Sequence, residues 1–256
     1  MSIPKCKYCG KEYKLNENIP SWMPESIREK IKYIPTCDCD DKKAKQEAEE
    51  REFQRLRECQ MNRIKKYRDI SVIDKKFMDS TFEKSKMEDK HMDICKRFAD
   101  KFVEVGTAPT GLMMFGSVGT GKTHASSCVA NFLMNHNKTV LVMNLGLYIN
   151  KLQREWAEAE KDVLDYVRTC DLLVIDDFGV EKTSEFVIGK TFTLIDARYR
   201  TGKPVIITTN LNIADIKEKF GARISDRISE MCFQLEVVGE SKRAKKAKNE
   251  FLEFIA

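Results

Sequence analysis

Short apolar runs separated by helix-patterned stretches dominate the chain beyond residue 72. GLMMFG (111–116) is a run suited to a strand buried on both faces, and TVLVMN (139–144) reads as a second strand. LLVID (172–176), PVIITTN (204–210) and CFQLEVV (232–238) read as a third, fourth and fifth. Between them, HASSCVANFLMNH, TSEFVIGKTFTLIDARYRTGK and NIADIKEKF carry helical patterns. Alternation of this kind predicts right-handed crossovers and an α/β fold, a parallel sheet flanked by helices on both faces. The chemistry then belongs at the carboxyl ends of the strands.

The amino-terminal part has a different pattern. PESIREKIKYI predicts a short helix with Pro24 in its first turn. From Asp41 the chain becomes DKKAKQEAEEREFQRLRECQMNRIKKYRDI, strong helix composition with a thin apolar stripe of Phe53, Leu56 and Ile64 that Gln60 interrupts. A solvated connector helix and a helix docked on a partner both fit. The expected organisation is a small module over 1–40, a charged helical linker over 41–75, and an α/β domain over 76–256.

Composition narrows the setting. A net charge of +5 with 33% charged residues fits contact with nucleic acid without demanding it. The start, MSIPKCKYCG, has no apolar core of signal-peptide length, and no run is long enough to span a bilayer. A cytoplasmic protein with no membrane partner is expected. The chain has nine cysteines, so their spacing matters more than their number.

Cys6 and Cys9 form a C-x-x-C pair followed by Gly10, and Cys37 and Cys39 form a tighter C-x-C pair. Two short hairpins offering four thiolates suit tetrahedral Zn²⁺, which would hold together a segment too small for its own core. Unrelated thiols or a redox pair are the alternatives, and no thioredoxin-like strand pattern surrounds the C-x-x-C.

The clearest chemistry lies in GSVGTGKT, which matches G-x-x-x-x-G-K-[ST] from Gly116 through Ser117, Val118, Gly119, Thr120, Gly121 and Lys122 to Thr123. Backbone N–H groups of such a loop converge on phosphate oxygens, Lys122 reaches the β- and γ-phosphates, and the Thr123 hydroxyl can ligate Mg²⁺. The following helix, which starts near His124, would point its positive end at the phosphates of ATP or ADP. LLVIDDFG then ends a buried strand in Asp176 and Asp177, an expensive pairing unless a cation relieves it. Asp176 is expected to hold the Mg²⁺, and Asp177 to orient or deprotonate a water. Many hydrolytic ATPases carry Asp-Glu here, so the shorter Asp177 points to slow turnover, a switch more than a motor.

Two more residues fall near that edge. Asn210, just past the fourth strand, could hold the attacking water or the γ-phosphate, or merely cap the next helix. Arg223 and Arg227 lie at i and i+4 on one helix face, where an anionic target or pairing with Asp226 or Glu230 would satisfy them.

GSVGTGKT, LLVIDDFG, TTN, RISDR and GESKR, in this order, resemble the AAA+ replicative helicase loaders of the DnaC/DnaI type, and equally the IstB-type transposition helper ATPases. The likeness covers roughly 76–250. The resemblance implies an AAA+ P-loop ATPase in which Asp176 is the metal ligand, Asp177 stands in place of the catalytic acid, and Asn210 is the sensor residue. It also implies that Arg227 completes a neighbour's ATP site in a head-to-tail, ATP-dependent oligomer, and that Arg243 is a second, looser sensor. Loaders of the DnaI type carry a cysteine-rich zinc module that grips the hexameric replicative helicase, and the early cysteines resemble it. They also carry a helix that meets single-stranded DNA; LYINKLQREW fills that place, with Lys151 and Arg154 for phosphate and Trp156 for stacking. Core packing of Trp156 is the ordinary alternative. A helicase loader using ATP binding and slow, partner-stimulated hydrolysis is the favoured expectation, with a transposition helper and a P-loop small-molecule kinase as the competing ones.

Overall fold

Strand side chains alternate between two faces, so a parallel strand buried on both sides feeds two hydrophobic layers. The structure, a computed structural model, describes residues 3–72, 77–85, 89–154, 157–242, 251–252 and 254. These form two units, Met1–Gln60 and Met61–Ala256.

The second unit holds a five-stranded sheet of β3 (Gly111–Phe115), β4 (Val140–Asn144), β5 (Leu172–Phe178), β6 (Val205–Thr209) and β7 (Cys232–Glu236), in the order β4-β5-β6-β3-β7. Every neighbouring pair is parallel. On one face Leu112, Met114, Val142, Val174 and Ile206 pack with Phe102 of α3 (Lys90–Val105) and Leu133 of α4 (Lys122–Asn135). On the other, Met113, Met143, Leu173, Ile175 and Ile207 pack with Tyr148 of α5 (Leu145–Arg154) and Val167 of α6 (Ala157–Thr169). Leu194 of α7 (Glu185–Tyr199), Ile216 of α8 (Ile213–Phe220) and Ile228 of α9 (Ala222–Met231) complete that layer. The predicted α/β architecture is therefore present, its strands matching the five apolar runs.

One buried cation ties the amino ends of the strands together. Arg198 is fully buried; Nη1 donates to Val167 O and Cys170 O at 2.8 and 2.9 Å, and Nη2 to Asp171 O and Pro204 O at 3.0 and 2.6 Å. Carbonyls at the end of α6 and before β5 and β6 thus replace its hydration, which is how a guanidinium without a carboxylate is tolerated inside.

In the first unit β1 (Lys14–Leu15) pairs antiparallel with β2 (Tyr33–Ile34), with α1 (Glu25–Lys30) between them. Pro24 is the residue before α1 and not part of its first turn. The charged helix α2 runs Cys39–Ile70, starting two residues before Asp41. Phe53 and Leu56 are exposed, whereas Ile64 and Tyr67 are buried; within the second unit the Tyr67 hydroxyl lies 2.6 Å from Thr169 Oγ1. The stripe is therefore a packing surface only near its carboxyl end.

Candidate functional site

The sheet order places the carboxyl ends of β3, β6, β5 and β4 side by side, and the polar residues of the motifs follow those strands. The phosphate loop, Gly116 to Gly121, links β3 to α4. Gly119 sits at φ +82°, and a Cβ there would lie 2.2 Å from Ser241 Oγ, so no side chain fits. Thr120 Oγ1 donates to Ser117 O at 3.0 Å, closing the loop on itself, while Val118 is exposed. α4 starts with Gly121 in its cap position and no side-chain cap, leaving first-turn N–H groups for an anion.

Lys122 is buried, and its ammonium donates to Gly116 O at 2.8 Å, Ser117 O at 2.7 Å and Asn210 Oδ1 at 2.9 Å. A cation held by the loop's own carbonyls is well matched to a phosphate that would take their place. Asn210 therefore spends its amide oxygen on Lys122. The cap of α8 is Asn212, whose side chain accepts from Ala214 N and Asp215 N.

Asp176 and Asp177 owe their positions to a bulge. Ile175 pairs with Ile207 and Phe178 with Thr209, so β5 carries one residue more than β6 across that interval. The extra residue throws Asp177 into the left-handed region at φ +53°. Thr208 fixes both: its hydroxyl donates to Asp176 Oδ1 at 2.5 Å and accepts from Asp177 N at 3.1 Å. Thr208 is the first residue of the TTN motif, but sequence reasoning gave a role only to Asn210; its place on the strand next to β5 is what brings it to the aspartates.

His124 and Thr123 lie in the first turn of α4. His124 Nε2 is 2.9 Å from Ser85 Oγ, and Thr123 O accepts from the hydroxyls of Ser126 and Ser127. Beyond β7, Val237 N donates to Phe115 O at 2.8 Å and Lys242 N to Gly119 O at 3.0 Å, so residues 237–242 cross the loop. The Lys242 ammonium pairs with Asp89. Arg243 lies outside the described residues, as does Trp156. Lys151 is exposed on α5, and Arg154 is that helix's last residue.

Arg227 is paired in a way the sequence did not indicate. Its Nη1 lies 2.6 Å from Asp196 Oδ1 on α7, and its guanidinium covers the rings of Phe192 and Tyr199 at 4.5 and 5.2 Å. Asp226 and Glu230 are not its partners here; Glu230 accepts from the Tyr199 hydroxyl at 2.9 Å. Arg223 is exposed.

A cavity of about 440 Å³ opens beside Asp177, lined by Asn144, Gly146, Ile149, Asn150, Glu181 and neighbouring residues. Glu181 carries no motif signature, and sequence reasoning missed it. Burial pushes its carboxyl above the ordinary range, against backbone N–H groups of Glu181 and Gly179 that pull it down.

In the first unit the Sγ atoms of Cys6, Cys9, Cys37 and Cys39 lie within 4.8 Å of one another. A tetrahedral Zn²⁺ with bonds near 2.3 Å needs sulfurs about 3.8 Å apart, so modest contraction would admit the ion. Gly10, at φ +73°, closes the first knuckle, where Gly10 N donates to Cys6 O at 2.9 Å and Tyr8 N reaches Cys6 Sγ at 3.5 Å. Backbone N–H groups of Cys9 and Tyr8 lower the Cys6 thiol to about 7, whereas thiol neighbours Cys9 and Cys37 push Cys39 up to about 12. Four thiols this close resist shared ionisation, which a divalent cation would relieve. The second pair does not come from a hairpin: Cys39 is the first residue of α2, and Cys37 precedes it.

Among the described residues no helix is long and apolar enough to cross a membrane. Residues 36–250 match the family described as IstB-like ATP binding protein. The chain is similar to the replicative helicase loader DnaC of Buchnera aphidicola subsp. Schizaphis graminum, 25% identical over 181 residues, which are 68% of this chain and 72% of that protein. A crystal structure of the DnaI superposes with a TM-score of 0.58 at 22% identity, covering 68% of this chain and 95% of that one. A crystal structure of the DnaC helicase loader gives 0.57 at 23% identity, covering 64% and 100%. These two likenesses are of fold.

Proposed function

The chain belongs to the family of IstB-like ATP binding proteins, and from that premise we propose that it is an ATP-switched loader of a hexameric replicative helicase onto single-stranded DNA. The observation that carries the nucleotide half is the contact of Lys122 with Asn210, which couples the phosphate loop to the strand end beside Asp176 and Asp177. In this reading the loop from Gly116 to Thr123, together with His124, holds the phosphates of ATP or ADP. Thr123 and Asp176 would ligate Mg²⁺, which when bound supplies charge for the phosphoryl oxygens. Asp177 orients the attacking water, and Asn210 senses the γ-phosphate through its bond to Lys122. Arg243 would approach the phosphates from the segment that already crosses the loop.

The loader half rests on the DnaC relatives and on the cysteine cluster. Cys6, Cys9, Cys37 and Cys39 would hold one Zn²⁺ and so shape a module over 1–40 that grips the helicase, joined through 41–75 to the ATPase domain over 76–256. Lys151, Arg154 and Trp156 would meet single-stranded DNA beside that domain. Arg227 would serve the neighbouring subunit in a head-to-tail oligomer; in its own subunit it is bound to Asp196. The place of work is the cytoplasm.

Capture experiments separate this from the transposition-helper reading. The full chain, immobilised with ATP, should retain the purified replicative helicase of its own organism and not a transposase. Retention of the transposase alone would reverse the assignment.

A further inference from the structure

The cavity beside Asp177 contains a carboxylate that the nucleotide reading leaves unused. Glu181 lies in the loop after β5, four residues past Asp177, and both line the same space of about 440 Å³. Its Oε2 is buried and has no hydrogen-bond partner among the described residues. Its Oε1 lies where a Cβ on Gly146 would come within 3.5 Å, so the side chain points toward the start of α5 and not out to solvent. A buried carboxylate oxygen without a donor is costly, and such atoms are normally satisfied by a water or a ligand. Asn144 and Asn150 line the same cavity, together with the apolar Ile149, Val180 and Val187.

The strand order gives this space a direction. Along the sheet edge the phosphate loop follows β3, Asn210 follows β6, the two aspartates end β5, and the cavity lies at the ends of β5 and β4. Asp177 thus stands between the phosphate loop and the cavity. In-line displacement at a γ-phosphorus needs the nucleophile on the side away from the bridging oxygen. A nucleotide held by the loop and Lys122 would leave the cavity side open to an in-line water.

We infer that Glu181 is the general base of ATP hydrolysis, taking the proton of a water that Asp177 orients. The inference rests on the ATPase reading above. In the step, the water oxygen forms a bond to the γ-phosphorus as the bond to the β–γ bridging oxygen breaks. The electron pair leaves with ADP, the water proton passes to a Glu181 carboxylate oxygen, and solvent in the open cavity later receives it. The side chain is one methylene longer than Asp177, as the acid of an Asp-Glu pair would be. The groups that face Glu181 act on its carboxyl in both directions. Burial and the Asp177 charge push its carboxyl up, while N–H groups of Glu181 and Gly179 and the Lys219 ammonium hold it down; Lys182 also lines the cavity.

The test compares the full chain with Glu181→Gln and Glu181→Asp for binding of a fluorescent ATP analogue and for single-turnover hydrolysis from about pH 5 to 9. Glu181→Gln should bind the analogue within about 2-fold of the parent, hydrolyse on the order of 10²-fold more slowly, and lose the acid limb of the pH profile. Glu181→Asp should retain that limb at a reduced rate. A parent that turns over, with Glu181→Gln matching it in rate and pH profile, overturns the inference and leaves the ATPase reading standing. A parent that binds nucleotide but never turns over overturns both.

Discussion

Lys122 and Asn210, 88 positions apart in sequence, meet at 2.9 Å across the carboxyl edge of the sheet. The bond ties the lysine of the phosphate loop to the end of β6, the strand next to the one that carries the aspartates. Lys122→Ala should therefore abolish binding of Mg²⁺-ATP. Asn210→Ala should keep binding within a few-fold and lower turnover by about 10²-fold, the usual effect of deleting one oriented donor or acceptor at a transition state. Isothermal titration and a phosphate-release assay read the two. Equal loss of binding in both variants would make Asn210 a mere prop for Lys122.

Asp177→Asn probes the opposite side of the same centre. It removes a charge from a residue held at φ +53° without removing the side chain, and Asn tolerates that backbone. Nucleotide affinity should hold while hydrolysis falls by about 10²-fold or more. Undiminished hydrolysis would remove Asp177 from the chemistry.

Zinc content should be close to one equivalent in protein purified without added metal, because four thiols within 4.8 Å form one site. Cys→Ser at Cys6, Cys9, Cys37 or Cys39 should lower it, and Cys128→Ser or Cys170→Ser should not. Metal-free protein whose first unit stays folded would contradict the assignment.

Stability should depend on pH through Glu181. Its carboxyl is raised on folding, chiefly by burial, so the folded protein retains a proton that the unfolded chain has already released. The resulting stabilisation is full below the unfolded Glu value of about 4.3 and is lost as pH rises through the higher folded value. Glu181→Gln should consequently raise Tm at about pH 8, with the gain shrinking as the pH falls toward about 4. A gain independent of pH would mean that packing, not charge, is responsible.

Much of the fold was legible because long apolar runs leave little choice: four strands lie inside the runs that predict them, and β5 starts with its run at Leu172 and continues two residues past it to Phe178. The phosphate loop was legible because its chemistry needs fixed residues at fixed spacing. What was not legible depends on contacts distant in sequence. Asp196 meets Arg227 from another helix, 31 residues away, whereas sequence reasoning looked within one turn. Arg198 appears as one more charge on a surface helix until carbonyls of three segments surround it. The helix after TTN starts at Ile213, so the capping amide is Asn212, a difference of two residues that frees Asn210 for Lys122. Glu181 acquires meaning only from the cavity.

ATP binding by this chain is proposed to place a replicative helicase on DNA. The most direct measurement counts helicase hexamers retained on circular single-stranded DNA after a high-salt wash, with purified helicase, the full chain and ATP. Retention should require the chain and ATP, disappear with Lys122→Ala, and fall when Lys151 and Arg154 are reversed in charge. Helicase retention that is the same with the chain omitted, or with Lys122→Ala in its place, would contradict it.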